Sequence, residues 1–147
     1  MSRHISQDIR RQIARRADFI CEYCLIDDDD AFYGCEVEHI ISRKHGGSSE
    51  TDNLAYSCAF CNRFKGTDLT SIDWETGEFV RLFNPRIDVW AEHFELNQER
   101  VEPLTKIGEV TVRILQFNNS ERLIERSELI IRKQFPNEAA IKKINKL

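Results

Sequence analysis

Apolar residues recur every four positions near the start of the chain. Ile9, Ile13 and Ala17 fall at i, i+4 and i+8, with arginines on the other faces, and predict an amphipathic helix over residues 6–18. Ser6 is placed to cap it, and Asp8 lies in its first turn. The period then changes. Residues 35–42 (Cys-Glu-Val-Glu-His-Ile-Ile-Ser) are rich in β-branched side chains and predict a strand. Gly46-Gly47-Ser48-Ser49 marks a loop from Arg43 to Asp52. Leu54 to Ser57 predicts a second short strand, and the pattern from Cys58 to about Gly66 suits a helix. The central unit therefore reads strand, loop, strand, helix.

Beyond Gly66 the pattern is mixed. Residues 74–83 predict a hairpin turning at Thr76-Gly77, which Asn84-Pro85 ends. Val89, Trp90 and Phe94 predict a short apolar-faced helix. Residues 96–108 carry turn signals at Pro103 and Gly108, and from Val110 the chain turns helical, with a break near Asn118-Asn119. Ser120 is placed to cap a final long helix whose core-facing stripe is Leu123, Ile124, Ser127, Ile130, Ile131 and Phe135, with Pro136 ending it. Lys142, Lys143 and Lys146 fall in a short helical tail. Two parts follow: residues 1–66 as a core, and residues 67–147 as an accessory extension packed on it. The fold class is α+β.

Composition narrows the function. A chain of 147 residues, 41% hydrophobic and 31% charged, is long enough to bury a core. No apolar run reaches membrane-spanning length, and Met1-Ser-Arg-His-Ile-Ser-Gln has no signal-peptide core, so the expected compartment is the cytoplasm. The net charge of −4 argues mildly against strong nonspecific nucleic-acid binding. Asp27 to Asp30 form an acidic run read as a solvated loop. Cations gather at Arg10, Arg11, Arg15 and Arg16, at Arg43 and Lys44, and at Arg63 and Lys65.

Five cysteines change the picture most. Cys21-Glu-Tyr-Cys24 and Cys58-Ala-Phe-Cys61 have the spacing of two halves of a zinc tetrahedron, closed by four thiolates and hence structural. Cys35 is left over and read as a small buried residue. Between the pairs lie Glu38-His39 and Asn53, and Asn62 follows Cys61. A histidine is largely neutral at pH 7 and can accept a proton from water. A carboxylate and an amide oxygen suit a sparse Mg²⁺ site completed by water and phosphate. Glu38 and His39 are adjacent on a strand, so strict alternation sends them to opposite faces. Lys65 lies one turn beyond Asn62, placed to touch a phosphate, and His45 sits in the loop, a candidate for the same contact.

The run from Glu38 to Asn62, with Cys21 and Cys24 before it, resembles the HNH endonucleases, the ββα-metal (His-Me finger) family, and especially the branch with a structural four-cysteine zinc. The resemblance implies DNA, single- or double-stranded, cleaved with a divalent metal (Mg²⁺, Mn²⁺ or Ni²⁺). It implies His39 as general base, Asn53 orienting that base and bracing the loop, and Glu38 and Asn62 as catalytic-metal ligands. Glu38 stands where the family usually has Asp, and Asn62 where many members have the final His. Leu82-Phe-Asn-Pro-Arg86 and Trp90-Ala-Glu-His-Phe94 are similar to segments of bacterial HNH proteins and imply a shared accessory region. Substrate contacts are expected from His45, Arg63 and Lys65. The rival reading is a zinc-stabilised module that binds nucleic acid or protein without cleaving. A thiol redox role for the Cys-x-x-Cys pairs lacks the βαβ context that motif needs.

Overall fold

The computed structural model describes residues 5–146. Met1 to His4, part of the segment read for a signal-peptide core, and Leu147 lie outside it. Helix α1 spans Gln7–Arg16, and the Ser6 side chain accepts from the Ile9 amide at 3.2 Å. Its apolar stripe forms as the spacing predicts: Ile13 and Ala17 are buried and Ile9 half-buried. With Leu54 and Tyr56 this stripe makes a small core of its own.

Strands β1 (Cys35–His39) and β2 (Leu54–Cys58) pair antiparallel, with Cys35 opposite Cys58 and His39 opposite Leu54. The ladder stops three residues short of the expected Ser42. Past His39, the Ile40 amide goes to the Asn53 carbonyl and the Ile41 amide to the Asn53 side chain, so a side chain replaces the next strand partner. Helix α2 (Ala59–Lys65) follows β2 directly, with the Cys58 sulfur at its N-cap. Strand, loop, strand and helix thus form a ββα unit. Cys35 is half-buried between the two cores.

The extension departs further from expectation. The hairpin is built from β3 (Thr70–Ile72) and β4 (Phe79–Arg81), so its first arm precedes Trp74. Trp74 lies in the turn and is 78% exposed. Asp73 sets that turn, since its carboxylate accepts from the Glu75 amide and the Thr76 hydroxyl. The short helix α3 covers Trp90–His93. A second hairpin, β5 (Phe94–Asn97) with β6 (Arg100–Pro103), occupies the stretch read as mixed. Helix α4 (Lys106–Ile114) begins before Gly108, which is no turn residue. A Cβ on Gly108 would lie 2.2 Å from the His93 carbonyl oxygen, so the glycine is needed for close packing.

Helices α5 (Ser120–Ile131) and α6 (Glu138–Ile144) complete the chain. On α5 the expected stripe holds only in part: Ile130 packs against the main core and Phe135, past the helix end, is buried. Ile124 and Ile131 are 63% and 77% exposed, whereas Arg122, Arg126 and Leu129 are the buried residues. Periodicity treats arginine as polar and turns the helix outward; here the guanidiniums find carbonyls and sulfurs inside. The cap is Asn119, one residue before Ser120. The main core joins Ile20, Leu25 and Ala55 to Phe94, Leu115 and Phe117, so it draws on both the 1–66 and 67–147 stretches. The Trp90 indole N–H donates to the Tyr23 carbonyl at 2.8 Å across the same boundary.

Candidate functional site

Four sulfurs converge first. The Sγ atoms of Cys21, Cys24, Cys58 and Cys61 all lie within 4.8 Å of one another, and all four residues are buried. Zinc–sulfur bonds of about 2.3 Å in a tetrahedron require sulfurs about 3.8 Å apart, and Cys24 Sγ stands 3.7 Å from Cys58 Sγ. The donor set suits a structural zinc with no open position. Cys21 and Cys24 belong to the turn after α1, and Cys58 and Cys61 to the junction of β2 and α2, so the ion would tie the N-terminal segment to the ββα unit. Among the described residues, no other group of three or more His, Cys, Asp or Glu side chains converges in this way.

His39 ends β1 and is half-buried. Its Nε2 lies 3.0 Å from the Ser49 hydroxyl. Partial burial, then the positive charges of Arg43 and Lys65, lower the pKa of its imidazole below the ordinary value, so the ring is neutral at pH 7. Asn53 does not reach the ring; it clamps the intervening loop. Its Oδ1 accepts from the Ile41 amide at 2.9 Å, and its Nδ2 donates to the carbonyls of Ile41 at 2.9 Å and Ser48 at 2.8 Å. Gly47 makes the clamp possible, because a Cβ there would stand 1.8 Å from the Ile41 carbonyl oxygen and 2.8 Å from Asn53 Nδ2. The Asn53 side chain thus bonds within the loop, and the side chain that touches the imidazole is Ser49.

Glu38 turns the other way, as alternation requires. It is 7% exposed. One carboxylate oxygen accepts from the Tyr23 hydroxyl at 2.7 Å, and the other lies 3.6 Å from Lys65 Nζ. Lys65 is itself 3% exposed, and its ammonium also donates to the Ile40 carbonyl at 2.8 Å. It faces inward, away from any phosphate outside. Burial outweighs the Lys65 charge and the Tyr23 hydrogen bond and raises the Glu38 carboxyl above its ordinary pKa. The carboxylate is nearly sealed from solvent and turned toward Tyr23 and Lys65, so this arrangement does not present it to a hydrated ion shared with Asn62. The trio instead joins β1, α2 and the zinc turn. Removing one partner of a buried ion pair typically costs about 3 kcal/mol or more. Lys65→Met is expected to lower the unfolding free energy measured by urea titration by about that amount, and adding Glu38→Gln to recover part of it. A Lys65→Met variant as stable as the wild type would mean that the pair contributes nothing.

Residues 21–68 match the family model described as HNH endonuclease. This stretch is an HNH domain. It contains both cysteine pairs and His39, Asn53 and Asn62. No curated protein and no solved structure matches the chain. The HNH match covers the ββα unit and the zinc turn, and the extension lies outside it.

The remaining expected residues of the HNH domain sit on its surface. Asn62 is half-buried, one position past Cys61 on α2. Arg63 is exposed, with its guanidinium 5.4 Å from the Phe60 ring and 5.0 Å from the Phe64 ring. His45 is exposed in the short 3-10 turn Arg43–His45 that follows β1. His93 is structural: its Nδ1 lies 2.6 Å from the Thr105 hydroxyl. Sequence reasoning missed Tyr23, Ser49 and Arg122. Ser49 lies in the glycine-rich loop, and a hydroxyl there was the one available signal. Nothing in the spacing links Tyr23 to Glu38. Among the described residues, no helix is long and apolar enough to cross a membrane.

Proposed function

We propose that the chain is an endonuclease that hydrolyses DNA phosphodiester bonds, with His39 as general base. The observation that carries this reading is a neutral, half-buried imidazole at the end of β1, inside an HNH domain whose loop is clamped by Asn53. Neutral His39 takes a proton from a water in line with the leaving oxygen. The water oxygen then bonds to phosphorus, the bond to the 3′ oxygen breaks, and that oxygen takes a proton from solvent, leaving a 5′ phosphate and a 3′ hydroxyl. Arg43, Lys44 and His45, in the turn after His39, and Arg63 on α2 are the exposed side chains available to hold DNA phosphates. Lys65 has no such role here. No step is routed through an ion at Glu38 and Asn62, because the Glu38 carboxylate is buried and turned toward Tyr23 and Lys65.

One observation favours a second reading, a zinc-stabilised module that binds nucleic acid without cleaving it: the Glu38 carboxylate is committed to Tyr23 and Lys65. The same experiment separates the two. Supercoiled plasmid and single-stranded DNA are incubated with the protein in Mg²⁺, Mn²⁺, Ni²⁺ or EDTA, with bound zinc measured on the same sample. Nicked or linear product that depends on His39 supports the nuclease. Retarded but intact DNA in every buffer supports the binding module. The pH profile is a further check. Because burial and nearby positive charge depress the His39 pKa, more than half of the base is unprotonated at pH 6.5, and the acid limb of the rate should be centred below the ordinary histidine value. A limb centred at or above the ordinary value of about 6.5 would place the titrating group elsewhere.

A further inference from the structure

Arg122 lies on α5, outside the HNH match, yet it is 1% exposed and reaches the cysteine cluster. One of its terminal nitrogens donates to the Leu115 carbonyl at 2.8 Å. The other lies 3.1 Å from Cys61 Sγ and 3.7 Å from Cys58 Sγ. The rings of Phe60 and Phe117 flank the guanidinium at 5.6 Å each. Its Nε is buried without a hydrogen-bond partner. These contacts include a carbonyl and two sulfurs but no carboxylate. A sealed guanidinium needs a counter-charge to be tolerated. Four thiolates on one divalent zinc leave the cluster with two net negative charges, which supply it.

We infer that Arg122 is a positioning residue for the zinc cluster, a latch by which the extension holds the metal and the metal holds the extension. Its N–H groups draw electron density from the Cys61 and Cys58 sulfurs and offset the cluster's charge where water cannot. Partners of this outer kind commonly change metal affinity by about 10–100-fold. Linkage makes the effect reciprocal: an ion that Arg122 helps to bind must help to keep Arg122, and with it α5, in place. The inference does not depend on the nuclease reading, since it concerns metal retention and not cleavage.

The test uses the full chain as wild type, Arg122→Met and Arg122→Lys. Zinc release to a chelating dye should be about tenfold faster or more in Arg122→Met, with Arg122→Lys between the two because it keeps the charge but loses the fork. Cobalt substitution reads the sulfurs directly. Losing the N–H donors makes the thiolates more electron-rich, so the sulfur-to-cobalt charge-transfer band should move to lower energy in Arg122→Met. A general loss of stability would not move that band. Hydrogen exchange on the wild type should show the amides of α5 deprotected on chelation to a larger extent than those of α1. Zinc release within twofold of wild type, or an unmoved cobalt band, overturns the proposal. If Arg122→Met does not fold, the same two readings on Arg122→Lys decide it.

Discussion

His39→Ala is expected to cut plasmid cleavage by about 10²–10⁴-fold, the usual contribution of a positioned general base, and to leave zinc content and the melting profile as they are. The separation follows from where the ring sits. His39 ends its strand, belongs to neither apolar core, and has the exposed Ser49 hydroxyl as its side-chain partner. Removing the ring opens no buried cavity and strands no buried donor. The backbone carbonyl of residue 39, which faces Lys65 Nζ at 3.5 Å, survives the substitution. Cleavage at the wild-type rate by this variant, with equal DNA and metal, would take the base role from His39. Ser49→Ala offers a graded comparison, because it removes the hydroxyl at Nε2 and leaves the imidazole.

Cys58→Ser should have the opposite profile: loss of bound zinc and loss of the folded state together. Structural zinc contributes on the order of 10–16 kcal/mol in small zinc-finger peptides, as much as the whole stability of an ordinary domain, about 5–15 kcal/mol. The choice of serine isolates the metal. Cys58 is also the N-cap of α2, its sulfur accepting from the Cys61 amide at 3.5 Å, and serine is a preferred residue at that position. Destabilisation therefore cannot be assigned to a damaged cap. The measurement is metal content by atomic absorption beside a thermal melt. A soluble variant with the wild-type melting profile would contradict the zinc assignment.

Local pattern was enough to place α1, β1, the loop, β2 and α2, because each carries its own signal: apolar spacing, β-branched runs, glycines and the cysteine brackets. It was enough also for the convergence of the four cysteines, whose spacing in two Cys-x-x-Cys pairs suits a tetrahedral ion. The extension was less legible. The β5–β6 hairpin has no Asn-Gly or Asp-Gly turn; Gln98 takes the left-handed backbone there, with φ of 58°, which no sequence rule selects. Gly108 was misread because a glycine required by a neighbouring carbonyl looks the same in sequence as one required by a turn. Arg122 and Arg126 were misread because hydrophobic periodicity assigns arginine to solvent, and their partners arrive from residues 58, 61, 99, 115 and 117. Within the site the same limit applies. The alternation of Glu38 and His39 was readable, but the inward partners of Glu38 come from two other segments, residues 23 and 65.

The smaller core gives the chain two separate ways to fail. Ile13, Ala14 and Ala17 grip the β1–β2 hairpin through Leu54 and Tyr56, on a side that involves none of the four sulfurs. Leu54 is the cross-strand neighbour of His39, and its carbonyl is held by Arg16 and Arg86. A lesion on the α1 face that packs against Leu54 and Tyr56 therefore reaches the imidazole through its neighbour without touching a sulfur. Among lesions that leave His39 and its loop intact, inactive molecules that still carry a full complement of zinc would trace to that helix face, whereas those stripped of it would trace to the thiolates or to α5.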